Sequence, residues 1–300
     1  MDRLDVVLPQ IQSELALAVL AAADAENRRR RRQSRAQDQD QAGTAARGVK
    51  VVLVLVHYGE ISTEELLGPP VGSGATASAS ASGAVGVDAL MMAFMPHYGV
   101  PVAEALFGAF CVGGKLPYTV YPNNYTAGTD FLDMSLQAGE GRGYRFYSGK
   151  PLFEFGAGMS GCTSFNLTLL PTPPPVSISP GARPGASGPG KVIGSYEVQV
   201  TNTGHQFGTE TVQLYVSPPP GLSWAAPLPK RRLIDFRKVA LPPAAKQTLS
   251  FAITDNQLLL TDIDGSRKAA AGKFGLLFTN GNGATLRAEL ASPSMMHVKS

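Results

Sequence analysis

The chain has 300 residues, 44% hydrophobic and 16% charged, with a formal net charge of +3, enough to bury cores for about two domains. So small a charge excess excludes a strongly basic nucleic-acid binder, and no nucleic-acid partner is expected. No stretch of about 18 apolar residues is present, so no membrane partner is expected, and the histidines and cysteines form no ligand-spaced cluster, so neither metal nor cofactor is expected.

Residues 9–23 place Ile11, Leu15, Ala18 and Val19 at helical spacing behind Pro9, which suits a first turn, and predict a packed helix. The five arginines at 28–32 run into Gln, Asp, Ser and Ala without periodicity. Residues 27–48 therefore read as a solvated, disordered insertion and not as a targeting signal. The unbroken Val/Leu run at 51–56 predicts a strand covered on both faces. Ser62-Thr63-Glu64-Glu65 offers a capping box before Leu66 and Leu67, hence a short helix. Low-complexity Gly, Ser and Ala make 68–87 a second disordered insertion. Residues 89–94 predict another buried strand, and 102–107 a helix ending at Gly108. This rhythm is that of an α/β layer with a parallel sheet. Two strands cannot complete such a sheet, so its other strands are expected upstream of Met1 or in another chain.

Pro, Gly and Ser dominate the stretch that follows, and 166–190 reads as a linker. Beyond it the period changes to two. Tyr196, Val198 and Val200 alternate with Glu197, Gln199 and Thr201; Asn202-Thr203-Gly204 supplies a turn; Val212, Leu214 and Val216 resume the alternation. Further strands are predicted at 233–239, 247–254, 258–262, 274–279 and 285–290. About seven short strands between Gly and Pro turns argue for an antiparallel β-sandwich over 191–300, preceded by a partial α/β domain over 1–165.

Two tripeptides, Asn124-Tyr125-Thr126 and Asn166-Leu167-Thr168, fit the N-glycosylation sequon and point towards secretion. The acidic start Met1-Asp2-Arg3-Leu4-Asp5 lacks the layout of a signal peptide. Truncation at the N-terminus would reconcile the two. Cys111 and Cys162 either pair in an oxidising compartment or stand as two buried thiols; spacing leaves both open.

Several segments occur in an order that resembles glycoside hydrolase family 3. They are Asp2-Arg3 with Leu8-Pro9 and Gln12; Val102-Ala103-Glu104-Ala105-Leu106-Phe107-Gly108; Gly114-Lys115-Leu116-Pro117-Tyr118-Thr119 with Tyr121-Pro122; Gly143-Tyr144-Arg145-Phe146-Tyr147; and Pro151-Leu152-Phe153-Glu154-Phe155-Gly156-Ala157-Gly158-Met159-Ser160. Val200-Thr201-Asn202-Thr203-Gly204, Val212-Gln213-Leu214-Tyr215-Val216 and Arg232-Leu233-Ile234-Asp235-Phe236 continue the series. Met134, ahead of the Gly143 block, leans towards the β-xylosidase branch. Three features depart from the family pattern: Pro96-His97-Tyr98-Gly99-Val100 replaces a glycine-paired turn, Gly161-Cys162 stands where the family has tyrosine, and the 68–87 insertion replaces ordinary family sequence.

The resemblance implies an α/β fold followed by all-β: part of the family's α/β sandwich domain, with its parallel sheet, and a fibronectin type III-like domain. It implies hydrolysis of β-xylosides or β-glucosides by the full-length homologue through a covalent glycosyl-enzyme, in an extracellular setting, with a barrel domain in cis or trans. The family's nucleophilic Asp lies on that barrel, and the acid/base Glu of many members precedes the Asp-Arg pair, here preceded only by Met1. No catalytic residue is therefore assigned, and the chain alone is expected to be inactive. A non-catalytic binding or structural module is the alternative. Glu60 after the first buried strand, with Tyr144 and Arg145, are the candidate substrate contacts. The bland reading of Tyr144 and Arg145 is an interdomain staple; that of Glu64 and Glu65 is helix capping. Asp262 and Asp264 before Gly265 read as turn residues and not as a calcium loop.

Overall fold

The computed structural model of the protein describes residues 10–37, 49–57, 59, 61–67, 87–94, 96, 99–130, 132–159, 161–171 and 190–292. Two compact units emerge: Met1–Val102 with Val120–Thr129 and Lys150–Leu152, and Ala103–Thr119 with Asp130–Gly149 and Phe153–Ser300. No helix among the described residues is long and apolar enough to cross a membrane.

In the first unit, helix α1 (Gln10–Gln37) is much longer than its apolar spacing predicts and carries the arginine run. Residues 27–37 are thus helical, contrary to the expected disorder, while 38–48 lie outside the described residues. The reason is local: Asp24 pairs with Arg28, and Glu26 reaches both Arg29 and Arg30 at 2.8 Å, the i,i+3 and i,i+4 spacings that support a helix. Strands β1 (Val52–Leu55) and β2 (Ala89–Met92) pair in parallel, Val52 opposite Ala89 and Leu55 opposite Met92. Leu20, Leu55 and Leu66 form the small core beneath them, with Leu66 on the short helix α2 (Glu64–Leu67). Contrary to a strand covered on both faces, Val52 is 45% exposed and Val56 58%. Two strands supply too little surface to cover both sides. The 68–87 insertion lies outside the described residues except for Val87, whose N–H donates to the Leu66 carbonyl at 3.0 Å. Tyr121 stacks on Tyr125 at 3.9 Å beside a 3-10 turn, Tyr125–Gly128.

Helix α3 (Val100–Leu106) ends at Gly108, whose φ of 79° is the left-handed geometry of a helix stop. The one-turn helix α4 (Gly143–Phe146) follows.

The second unit is built on a seven-stranded sandwich. One sheet has the order β3-β4-β7, from Phe165–Leu169, Val192–Asn202 and Lys246–Thr254. The other has the order β11-β10-β5-β6, from Thr285–Ser292, Gly272–Thr279, Gly208–Ser217 and Arg232–Leu241. All pairings within these sheets are antiparallel. Val198, Val200, Val212, Leu214, Phe251 and Phe278 are fully buried between them, while Glu197 and Ser195 face out, the alternation of a strand with one face on a core.

Two expectations fail here. Residues 165–169, mostly assigned to the linker, form β3, because Phe165, Leu167 and Leu169 alternate onto the sandwich and Leu167 is buried. The remainder of that linker, 172–189, lies outside the described residues. Residues 258–262 are not one strand: helix α5 (Asp255–Leu258) precedes a two-residue β8 (Leu260–Thr261), which pairs with β9 (Arg267–Lys268). A capping box built by Thr254 and Gln257 starts α5, the Thr254 N–H donating to Gln257 Oε1 at 2.9 Å.

Candidate functional site

Glu60, the first candidate contact, lies outside the described residues. Its neighbours Glu64 and Ser62 are visible: Glu64 Oε2 accepts the Asn123 N–H at 2.9 Å, and the Glu64 N–H approaches Ser62 Oγ at 3.5 Å. The Glu64 carboxylate therefore holds the backbone at Asn123, and the side-chain oxygen at the helix start is that of Ser62.

Tyr144 and Arg145 sit on α4. Gly141 and Gly143 enter that turn with φ of 81° and 63°, and a side chain at Gly141 would strike the Phe146 carbonyl. The Tyr144 ring stacks on Phe155 at 4.3 Å and meets Tyr215 edge-on at 5.9 Å. Its hydroxyl accepts the Leu233 N–H at 3.2 Å, and the Arg145 guanidinium lies 5.7 Å from its ring centre. The backbone is held as well: the Lys230 N–H donates to the Arg145 carbonyl at 2.8 Å, and Lys230 Nζ to the Tyr147 carbonyl. Arg231 lies 5.0 Å over the Tyr215 ring and pairs with Glu154, which is otherwise exposed. Burial pushes the Tyr215 phenol well above its ordinary pKa. Burial first, then Arg267 and Arg145, lowers Arg232. Tyr144 is thus packed against two aromatic rings, stacked on Phe155 and T-shaped to Tyr215.

A second polar centre escaped the sequence reading. Lys115 Nζ lies 2.8 Å from Glu210 Oε1, with both side chains nearly buried, and donates to the Gly158 carbonyl at 2.6 Å. Glu210 also accepts from Asn280 Nδ2 at 3.0 Å and from the Thr211 N–H at 2.8 Å. Beside it, Gln213 Nε2 donates to the Gly156 carbonyl at 2.9 Å, and the Tyr215 hydroxyl to Gln213 Oε1 at 2.5 Å. Glu210 was visible in principle, being in phase with Val212 and Leu214 on a strand, where a charge demands a partner. Nothing local identifies Lys115 as that partner. Cys111 and Cys162 form a disulfide with their Cα atoms 5.7 Å apart, resolving the alternative that spacing left open.

Chemically, three carboxylates of this unit pair with cations: Glu210 with Lys115, Glu154 with Arg231, and Asp262 with Lys268 at 2.6 Å. Lys268 Nζ also lies 3.8 Å from Asp264 in the same turn. Such pairs hold loops; they do not form the two facing carboxyls that glycoside cleavage needs.

The fibronectin type III-like domain family matches residues 210–280. Among curated proteins, the chain is 30% identical over 233 residues to "Probable beta-glucosidase L" of Emericella nidulans, an alignment covering 73% of this chain and 29% of that protein. It is 28% identical over 254 residues to "Exo-1,4-beta-xylosidase xlnD" of the same species, covering 77% and 30%. The chain thus spans about three tenths of the length of these relatives. Among solved structures, a GH3 exo-beta-xylosidase bound to a xylobiose aziridine probe matches with a TM-score of 0.68 at 22% identity, over 98% of this chain and 34% of that one. The beta-glucosidase DesR of Streptomyces venezuelae matches with a TM-score of 0.65 at 23% identity, over 97% and 32%.

Proposed function

Since the chain belongs to glycoside hydrolase family 3 and carries a fibronectin type III-like domain, we propose that it is the non-barrel part of an extracellular enzyme hydrolysing O-glycosyl bonds in β-xylosides or β-glucosides. It supplies neither catalytic carboxylate, and a barrel domain, in cis or in trans, supplies the chemistry. The observation carrying this reading is the convergence of the resembling blocks. Gly114-Lys115, Tyr144-Arg145 and Phe155-Gly156 are far apart in sequence, yet all engage β5 or the residues leading into β6 through Lys115–Glu210, Gln213–Gly156 and Tyr144–Tyr215. Sequence shared with a hydrolase family is here spent on holding loops against the sandwich. Tyr144 and Arg145 take the staple role, and Glu60 remains the one proposed sugar contact.

The packing of Tyr144 against Phe155 and Tyr215 also favours a second reading, a non-catalytic structural module. An assay separates the two. The purified chain is expected to give no turnover of aryl β-xyloside or β-glucoside at any pH, and to gain turnover when a family 3 barrel is co-expressed. Turnover by the chain alone that disappears in Glu60→Gln would overturn the division of labour. No gain with the barrel would leave the structural module as the better reading.

A further inference from the structure

We propose that Asn166 is an N-glycosylation acceptor. Its sequon lies on β3, where Leu167 turns into the core at 5% exposure, so Asn166 and Thr168 stand together on the outward face, both exposed. The side-chain amide therefore projects from the sandwich, and a bulky sugar there displaces no core contact. Among the described residues β3 is the end strand of its sheet and bonds to β4 alone in that sheet, Asn166 opposite Thr201 and Thr168 opposite Gln199. An end strand presents unpaired backbone groups that invite pairing with another chain, and a hydrophilic glycan on it opposes such pairing.

A second observation fits the compartment in which this modification occurs. Cys111 and Cys162 are joined, and Cys162 lies four residues before Asn166. Structural disulfides form and persist in oxidising compartments, the secretory lumen among them. The other sequon has its Asn124 exposed ahead of the 3-10 turn, making no side-chain cap, and serves as an internal comparison.

The donor is a lipid-pyrophosphate-linked oligosaccharide, handled by a membrane transferase of that lumen. Asn166 Nδ2 attacks the anomeric carbon; an N–C bond forms and the carbon–oxygen bond to pyrophosphate breaks. The amide loses one proton to a base on the transferase, the lipid pyrophosphate leaves with the bonding electron pair, and nothing is oxidised or reduced. The inference rests on the extracellular setting proposed above but not on glycosidase activity, so the two fail separately.

The full chain, directed through a yeast secretory pathway by an added leader, is mapped by peptide mass spectrometry before and after peptide N-glycosidase. A glycan is expected at Asn166, leaving a deamidation mass shift there on removal. It should vanish in Asn166→Gln and Thr168→Ala, and persist in Thr168→Ser and Asn124→Gln. An unmodified Asn166 peptide from the secreted, disulfide-bonded protein, or a glycan at Asn166 that survives Thr168→Ala, would overturn the proposal. The wild-type map is decisive even if a variant fails to fold.

Discussion

Glu210 is a buried carboxylate whose charge is matched by one ammonium, that of Lys115, and whose remaining oxygen is taken by Asn280. Removing one member of such a pair strands the other in a low-dielectric setting, which costs about 3–5 kcal/mol. Glu210→Ala should lower stability by that order in urea unfolding, and Lys115→Met alone should be comparably damaging. The double change Lys115→Met with Glu210→Leu should recover most of the loss, because the desolvation cost goes with the charges. Equal losses in the single and double variants would mean that packing, not charge, dominates there. Asp88 is an exposed counterpart. Lys50 at 2.7 Å and the Val51 N–H at 2.8 Å hold its carboxyl below the usual range. A lowered folded pKa gives stability that is present above the unfolded value of about 3.9 and disappears as pH falls through the folded one. For a surface pair this is at most about 1 kcal/mol. The protection of β1 amides against hydrogen exchange, taken relative to their intrinsic rates at each pH, should fall on acidification in the wild type and be flatter with pH in Asp88→Asn.

At the scale of elements, β4 tests the sandwich register. Val200 is fully buried and faces Gln247 across the pair with β7, while Gln199 points away from the core. Val200→Asp places an unpaired charge in the core, at a cost of several kcal/mol, and should abolish cooperative unfolding followed by circular dichroism. Gln199→Asp should shift stability by about 0.5 kcal/mol or less. Similar damage from both would refute the register. The helix α1 teaches the complementary lesson. Its arginine run looks like low complexity when scanned for apolar periodicity, yet Asp24 and Glu26 one turn earlier supply three ion pairs. Charge spacing, not hydrophobic spacing, extends that element.

For the whole molecule, the Cys111–Cys162 link closes a loop with a sequence separation of 51. Chain-entropy arguments give a stabilisation of about 4 kcal/mol for a loop of that length, with about 2 kcal/mol a common outcome. Cys111→Ser, or reduction of the native protein, should lower the midpoint of thermal unfolding of the sandwich-bearing unit accordingly. An unchanged midpoint with a reductant known to have opened the bond would show that the polar clamps alone hold residues 111–117. Gly156 and Gly281 make those clamps tight: both have positive φ, and a side chain at Gly281 would run into the Gly156 carbonyl.

The sequence alone determined the elements whose partners are implied by their own period. The alternation of Tyr196, Val198 and Val200 and of Val212, Leu214 and Val216 locates one buried face per strand, and the apolar runs at 51–56 and 89–94 contain the parallel pair β1–β2. It also carried the family, because the motifs recur in order. Tertiary structure alone decided what lies on the opposite face of β5. Gln213 and Tyr215 read as outward residues, but Gly156, Phe155 and Tyr144 arrive from distant loops and bury them. No local signal encodes such an arrival, since the free energy of covering a face depends on which remote segment can reach it. For the same reason Lys115 and Glu210, and Cys111 and Cys162, are legible as residues that need partners but not as each other's partner. Contact across 95 or 51 positions is a property of the folded chain, not of its neighbouring residues.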